Sequence, residues 1–262
     1  MRLTFLKSKP ELTWKMPERT EIPAIEEIAI AARYQGARVG GDFYDVLAAG
    51  HGRVLMLLMD VAGERRQALH LAAHAQECFR QRGPELFGNP EVNEAEGLSE
   101  LALGINRAII DAAQTKHFSP AFLACYSQKL GTIFYINAGH TPGFVMEDGR
   151  VDLLEATGLP LGLFTHTIHD AQMCVLGEGD ALVLASRGVV ECGGNGRNHE
   201  FGIEGIEKTL AANRGHSAEE VCGAVLREAQ ACLKGKAAEN DMTVVVVKRE
   251  GSRESRVARH GM

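Results

Sequence analysis

Side chains that could take part in chemistry occur in four segments of this 262-residue chain. Two segments contribute Asp42 and Asp60, and carboxylates are the oxygen ligands that hard divalent cations prefer. The other two segments carry Arg187 and the pair Asn240-Asp241. A guanidinium repels a divalent cation, and an amide oxygen ligates one without supplying charge. The four segments therefore give opposite indications about a metal centre.

The bulk properties exclude several function classes. The net charge of −6 leaves no broad basic face for nucleic acid or a membrane surface. No apolar run reaches the roughly 18 residues of a membrane span, and the N-terminus lacks the apolar core of a signal peptide. The six cysteines are scattered without a C-x-x-C pair, which favours reduced thiols over a zinc site. We expect a cytoplasmic protein that binds neither nucleic acid nor membrane.

Hydrophobic periodicity predicts strands and helices in the first half of the chain. Strands are expected at 26–34, 41–47 and 53–61, the last of them apolar on both faces and therefore central. Helical spacing predicts helices over 65–82 and 98–113, the second capped by Ser99. The Pro- and Gly-rich residues 84–97 between them are expected to form a mobile surface insertion.

The second half reads mainly as short strands followed by helices. Hairpins are predicted for 121–127 with 132–137, for 143–147 with 150–154, and for 172–176 with 181–185. Helices at 203–213 and 217–233, the latter with Ser217 and Glu220 as a capping box, precede a last strand at 242–248. Two groups of strands with helical pairs predict sheets packed together and covered by helices. We expect one domain over 23–249, an irregular leader at 1–22 and a disordered tail at 250–262.

Six motifs in order resemble one known family. The segments are Val39-Gly-Gly-Asp-Phe-Tyr-Asp45, Met59-Asp-Val-Ala-Gly63, Ile136-Asn-Ala-Gly-His-Thr-Pro142, Gly158-Leu-Pro-Leu-Gly-Leu163, residues 179–191 and residues 240–247. Together they resemble the metal-dependent protein phosphatases (PPM) of the bacterial SpoIIE-like branch, over about residues 24–248. The resemblance implies an α+β fold, a four-layer αββα sandwich of two packed antiparallel sheets flanked by helices.

In that family, aspartates hold a pair of Mg²⁺ or Mn²⁺ ions, and a metal-activated water attacks phosphoserine or phosphothreonine. The resemblance places the first aspartate at Asp42 and the bridging one at Asp60, with the backbone carbonyl of Val61 as a further ligand. The third and fourth ligand positions are Arg187 and Asn240. Asp241 would be a ligand only in an active enzyme.

These departures change the charge of the site. The family's four aspartates carry −4, whereas Asp42, Asp60 and Arg187 together carry −1. A guanidinium between Asp42 and Asp60 would satisfy both carboxylates without an ion, so we expect a degenerate centre in which a salt bridge replaces the metal. Arg65, Arg66 and Arg187 are candidates for a phosphate-binding cluster. His140 is expected to be a structural hydrogen-bonding group rather than a general acid.

Three functions stay open. The leading hypothesis is a pseudophosphatase without a cofactor that binds a protein, either an anti-sigma-factor antagonist, on which family members commonly act in partner switching, or another phosphoprotein. The alternative is an active serine/threonine phosphatase that uses Mn²⁺ or Mg²⁺ on Asp42, Asp60 and Asp241. The third is an inert scaffold or homodimerisation module.

Overall fold

Two five-stranded antiparallel sheets form the centre of the protein. The computed structural model describes residues 16–37, 41–61, 63–113, 117–147, 149–193 and 201–251. Sheet A has the strand order β1 (Ile28–Gln35), β10 (Met242–Arg249), β9 (Ala181–Ala185), β6 (Gly143–Glu147) and β7 (Arg150–Leu154). Sheet B has the order β2 (Asp42–Gly50), β3 (Arg53–Asp60), β4 (Ala121–Ser127), β5 (Thr132–Ala138) and β8 (Gln172–Val175).

Helices cover the outer face of each sheet. On sheet B lie α1 (Arg65–Phe87) and α2 (Glu94–Ala112), and on sheet A lie α4 (Gly202–Ala212) and α5 (Ala218–Cys232). The short α3 (Arg187–Val190) follows β9. The predicted α+β, four-layer sandwich is therefore confirmed. None of the described helices is long and apolar enough to cross a membrane.

Strand β3 shows why the layers form. Its apolar side chains alternate in direction, so that Met56 and Leu58 enter the cluster between the sheets while Leu57 and Met59 pack under the helices. Seven of its eight residues are buried, as the apolar run predicted for a central strand. The sheet interface and the helical interface are thus both built from one segment of sequence.

The predicted surface insertion at 84–97 is wrong for most of its length. Helix α1 continues to Phe87 and α2 already begins at Glu94, because Phe87 and Leu98 are fully buried in the helical core. Asn93 caps α2 by accepting from the backbone of residues 95 and 96. The predicted cap Ser99 instead donates its hydroxyl to the carbonyl of His169 at 2.7 Å.

The predicted hairpin of 172–176 with 181–185 is also wrong. β8 pairs with β5 in sheet B, whereas β9 lies between β10 and β6 in sheet A. All five residues of β9 are buried, which suits a central strand, and β8 is mostly exposed, which suits an edge. The other two predicted hairpins and the capping box of Ser217 with Glu220 are present.

The chain termini fall mostly outside the described residues. Of the predicted leader at 1–22, residues 16–22 are described and have no regular secondary structure. Of the predicted disordered tail at 250–262, residues 252–262 lie outside the described part of the chain.

Candidate functional site

Two aspartates lie side by side at one end of sheet B. β2 begins at Asp42, β3 ends at Asp60, and the antiparallel register places the two residues directly opposite each other. Opposite residues of an antiparallel pair project from the same face. Gly41 precedes this pair, and a Cβ there would lie 2.5 Å from the Cβ of Ala68 and from the carbonyl oxygen of Val61. The absence of a side chain at position 41 thus lets α1 approach the start of β2.

Arg187 contacts one of these aspartates. Its Nε donates to Oδ2 of Asp60 at 3.1 Å, which makes the only ion pair of Arg187 within the described part of the chain. The Asp60 side chain is 13% exposed and that of Arg187 is 49% exposed. The expected guanidinium between both aspartates is therefore not observed, because Arg187 pairs with Asp60 and leaves Asp42 to other partners.

Asp42 is held by hydroxyl groups. Its Oδ2 accepts from Oγ1 of Thr243 on β10 at 2.7 Å. Burial raises the pKa of Asp42 to about 7, although hydrogen bonds from Ser186 and Thr243 act in the opposite direction. Asp42 and Asp60 thus have different partners, hydroxyl groups at Asp42 and a guanidinium at Asp60.

Asp241 is bound away from this pair. The side chain is 1% exposed and accepts from Oη of Tyr34 at 3.0 Å, from the backbone N–H of Ala37 at 2.6 Å and from Nη1 of Arg65 at 3.4 Å. Arg65 also donates through Nη2 to the Tyr34 hydroxyl at 3.2 Å. The Asp241 carboxylate therefore ties the first strand, the start of α1 and the last strand together.

Asn240 lies close to Gly188, the residue that follows Arg187 in the chain. A Cβ at Gly188 would overlap the carbonyl oxygen of Asp241 and would lie 3.2 Å from the Cβ of Asn240. Glycine is the residue that permits this approach of α3 to β10. The four positions that the sequence aligns with metal ligands, residues 42, 60, 187 and 240, are therefore all placed at this end of the sandwich.

Two of the phosphate-binding candidates border the carboxylates. Arg65 is 42% exposed and contacts Asp241, and Arg187 contacts Asp60. Arg65 and the exposed Arg66 are the first residues of α1, whose first turn carries no acidic residue. The N-terminus of a helix carries partial positive charge. This edge of the site therefore contains arginines next to a helix N-terminus, with Glu64 as the N-cap residue.

His140 is buried beside the site. Burial lowers the pKa of His140 to about 4, with a smaller opposing effect from Asp60, so the ring is neutral near pH 7. Its Nδ1 lies 3.0 Å from Oγ1 of Thr141, and its backbone N–H donates to Oδ1 of Asn137. Asn137 also donates to the carbonyls of Thr141 and Leu154. These bonds fix the turn that follows β5.

Sequence reasoning missed the role of Asp45. This residue is 1% exposed and accepts from Oγ1 of Thr20 at 3.1 Å, from Nε2 of Gln76 at 3.0 Å and from Nε of Arg80 at 2.7 Å. Arg80 also pairs with Glu18 of the leader at 2.5 Å. The alternation of side chains along β2 could have indicated that Asp45 lies apart from the Asp42 site, because residues 42 and 45 of one strand project to opposite faces.

The carboxylates do not converge on one point. Among the described residues, no group of three or more His, Cys, Asp or Glu side chains is arranged to hold a metal ion. A centre of two divalent ions needs several oxygen ligands directed at shared positions. Asp60 is engaged by Arg187, Asp241 by Arg65 and Tyr34, and Asp42 by Thr243. Each of these three carboxylates is thus engaged by donors of the protein itself.

Several curated relatives match most of this chain in sequence, at identities between 22% and 25%. RsbU of Bacillus subtilis, named a phosphoserine phosphatase, is 25% identical over 237 residues, 88% of this chain and 66% of its own length. Protein IcfG of Synechocystis is 24% identical over 249 residues, 87% of this chain and 39% of its own. The chain spans between 24% and 66% of the length of the curated relatives it matches.

Among solved structures, the RsbU and RsbW domains of a Mycobacterium tuberculosis protein superpose with a TM-score of 0.71 at 21% identity, over 88% of this chain and 62% of that one. The PP2C phosphatase domain of SpoIIE from Bacillus subtilis gives 0.69 at 19% identity, over 89% and 64%. These likenesses establish the fold. The family model described as Stage II sporulation protein E (SpoIIE) matches residues 50–250, and this chain belongs to that family.

Proposed function

We propose that this domain is a pseudophosphatase, which binds a phosphorylated protein at the cleft of a phosphatase without hydrolysing it. The observation that carries the proposal is the ion pair between Arg187 and Asp60. It occupies the place where the resemblance to the phosphatases expects a bridging carboxylate and a metal ion. A divalent ion would have to bind next to a fixed positive charge and compete with it for the same oxygen.

The charge count supports the same reading. Arg187 neutralises Asp60, Arg65 neutralises Asp241, and burial raises the pKa of Asp42 to about 7, which favours its neutral form. The carboxylates therefore do not need a metal to relieve mutual repulsion. Asn240 contributes no charge to the site.

A phosphoryl group is the ligand that this cleft suits. Arg187 uses only Nε in its ion pair and is half exposed, which leaves its Nη groups available to an anion. Guanidinium groups form short, directional bonds to phosphate, and clusters of them recognise phosphorylated motifs. RsbU and RsbP of Bacillus subtilis are both named phosphoserine phosphatases. The partner we propose is a phosphoserine protein of the anti-sigma-factor-antagonist class.

An active phosphatase is the second candidate. Asp42 and Asp60 still face each other, and one structural neighbour is described in complex with two manganese ions. Activity would require Arg187 to turn towards solvent. Mn²⁺ or Mg²⁺ would then be held by Asp42, Asp60 and the Val61 carbonyl, with Asp241 released from Tyr34. An inert scaffold is the third candidate.

A paired measurement separates the three. A phosphoserine peptide is titrated by fluorescence anisotropy against its unphosphorylated form, and phosphate release is followed with excess Mn²⁺. We expect tighter binding of the phosphorylated form, weakened by Arg187→Ala, and no release. Arg33→Ala is the control, because Arg33 is an exposed arginine in an ion pair with Glu219. Phosphate release that is abolished by Asp60→Asn would show that the domain is an active phosphatase. Equal binding of the two peptides without phosphate release would favour the inert scaffold.

A further inference from the structure

The motif at residues 136–142 lies beside the end of β9. β6 pairs with β9 through Phe144 opposite Val183, and two more steps of this register would place Pro142 opposite Ala185. Proline has no N–H, so the chain before β6 cannot supply a backbone donor at this point. One side of β9 is therefore left without a backbone hydrogen bond at the last residue of the strand.

The carbonyl of Ala185 points to this open side. On the other side of β9, Ser186 donates its backbone N–H to the carbonyl of Thr243 at 2.9 Å, and Ala185 lies opposite Val244. In an antiparallel pair this pattern makes Ala185 and Val244 a non-hydrogen-bonded pair, whose backbone groups are directed away from each other. Ala185 is fully buried, and a buried carbonyl without a donor would destabilise the fold.

Thr141 supplies the missing donor with its side chain. Its Oγ1 donates to the carbonyl oxygen of Ala185 at 2.5 Å. A hydroxyl has a single proton and a carbonyl oxygen can only accept, so this bond uses the whole donor capacity of the Thr141 side chain. The hydroxyl of Thr141 thus takes the place of the N–H that the next residue, Pro142, lacks.

His140 orients the Thr141 hydroxyl. The Nδ1 atom of His140 lies 3.0 Å from Oγ1 of Thr141 and 3.2 Å from the carbonyl oxygen of Thr141. Because the hydroxyl proton is directed at Ala185, and because a carbonyl oxygen only accepts, Nδ1 must carry the proton in both contacts. Burial lowers the pKa of His140 to about 4, so the ring holds one proton at neutral pH. That proton is on Nδ1, and Nε2 is bare.

We propose that Thr141 is a positioning residue for Arg187, and that His140 acts through Thr141 by orienting its hydroxyl. Arg187 follows Ala185 by two residues, so a displacement of the end of β9 would move the guanidinium. The bond of its Nε to Asp60 and the availability of its Nη groups to an anion both depend on that placement. This inference rests on the proposed function for its ligand, a phosphoryl group, and adds a residue on which recognition of that group depends.

Removal of the Thr141 hydroxyl tests this role. Thr141→Val keeps the shape of the side chain without its donor, whereas Thr141→Ser keeps the donor. In fluorescence anisotropy with a phosphoserine peptide and the full chain, we expect Thr141→Val to weaken binding about fivefold, and Thr141→Ser to stay within about twofold of wild type. Thr157→Val is the matched control and should bind like wild type, because the Thr157 hydroxyl bonds to the backbone of Asn137 in the same turn instead of to β9.

A second substitution shows whether the effect passes through Arg187. In the Arg187→Ala background, Thr141→Val should cause no further loss of phosphopeptide affinity, because the side chain that it positions is absent. An equal loss in both backgrounds would overturn the inference. Binding by Thr141→Ser as weak as that by Thr141→Val would also overturn it, and so would an equal loss in Thr157→Val.

Urea denaturation tests the positioning role without a ligand. The shift of the unfolding midpoint that Arg187→Ala causes should be smaller in the Thr141→Val background than in wild type, because the ion pair with Asp60 is already weakened there. Equal shifts would contradict the positioning role. If wild type binds the phosphorylated and unphosphorylated peptides equally, the proposed function fails, and the urea comparison still decides whether Thr141 positions Arg187.

The tautomer of His140 can be measured in wild type and does not depend on the folding of a variant. In ¹H–¹⁵N NMR spectra that correlate ring nitrogens with ring carbon-bound protons, we expect the proton of His140 on Nδ1, with the signal assigned by its loss in His140→Gln. A proton on Nε2 would mean that Thr141 donates to His140 instead of to Ala185. That result would overturn the inference.

Discussion

Asp42 and Asp60 face each other across β2 and β3, and only Asp60 contacts Arg187. Asp42 instead accepts from Thr243 and has its pKa raised to about 7 by burial. The two carboxylates are therefore compensated independently, and substitutions at each should have separable effects on metal binding, on stability and on its dependence on pH.

Restoring the two missing aspartates should restore metal affinity. In Arg187→Asp with Asn240→Asp, we expect the affinity for Mn²⁺ to rise by roughly a hundredfold or more, because two carboxylates are added and a repelling cation is removed. Isothermal calorimetry measures it directly. The control, Asn240→Asp with Arg150→Asp, has the same net charge but keeps Arg187. Equal Mn²⁺ affinity in both double variants would refute the role given to Arg187.

Removing Arg187 alone should destabilise the protein moderately. Breaking a fully buried ion pair costs about 3–5 kcal/mol. The Arg187 side chain is 49% exposed, so we expect Arg187→Ala to lower the free energy of unfolding by about 1–2 kcal/mol, the remaining loss coming from the largely buried Asp60. Arg33→Ala breaks a more exposed ion pair with Glu219 and should change the free energy of unfolding by less than about 0.5 kcal/mol. Urea denaturation at neutral pH compares them, and equal losses would contradict the expectation.

His140 should make the native state less stable in acid. Burial lowers the pKa of His140 from 6.5 to about 4, so between these values the unfolded chain binds a proton that the native state does not. Stability then falls as the pH falls, by up to about 1.4 kcal/mol per pH unit. Urea denaturation of wild type and His140→Gln from pH 4 to 6.5 measures this contribution as the difference between their two slopes, and equal slopes would contradict the lowered pKa of His140.

Asp42 should act in the opposite direction. Its pKa is raised from 3.8 to about 7, so between these values the native state binds a proton that the unfolded chain does not. Its contribution is present at low pH and is lost as the pH rises towards 7. Between pH 4 and 6.5 the two effects oppose, and Asp42→Asn should make stability rise more steeply with pH than in wild type. An unchanged slope in that variant would contradict the raised pKa.

Arg80 should contribute more to stability through its ion pair with Asp45 than through its ion pair with Glu18. Asp45 is 1% exposed, and Arg80→Ala would leave its carboxylate without a cation. We expect a loss of about 2–4 kcal/mol in the free energy of unfolding. Glu18→Ala removes the other, 77% exposed partner of Arg80 and should cost less than about 0.5 kcal/mol. Equal losses in urea denaturation would show that the contact with the leader dominates.

Local patterns predicted most elements of the fold. The apolar run of β3 indicated a central strand, and Ser217 with Glu220 indicated the start of α5. The pairing of β8 could not be predicted, because two short apolar runs around a turn look like a hairpin whether or not they share a sheet. The assignment of β8 to sheet B depends on contacts with β5, which are distant in sequence.

The sequence predicted which residues lie at the candidate site better than it predicted which side chains contact one another there. The motif order located residues 42, 60, 187 and 240, and the structure places them at one end of the sandwich. Which oxygen a long side chain reaches is set by packing. Arg187 pairs with Asp60, whereas Asp42 accepts from Thr243, a residue brought near by the last strand.

Gly188 has a consequence for how readily the chemistry of this cleft could change. The backbone of α3 lies against the carbonyl of Asp241, a contact that leaves no room for a Cβ at position 188 and does not involve the side chain at 187. The Cα of residue 187 is thus positioned by main-chain contacts. We therefore expect that arginine at position 187 can be replaced by aspartate, or aspartate by arginine, without a change in the backbone of α3. Conversion between an ion-pair site and a metal-ligand site would then require a change of side chain and no change of fold.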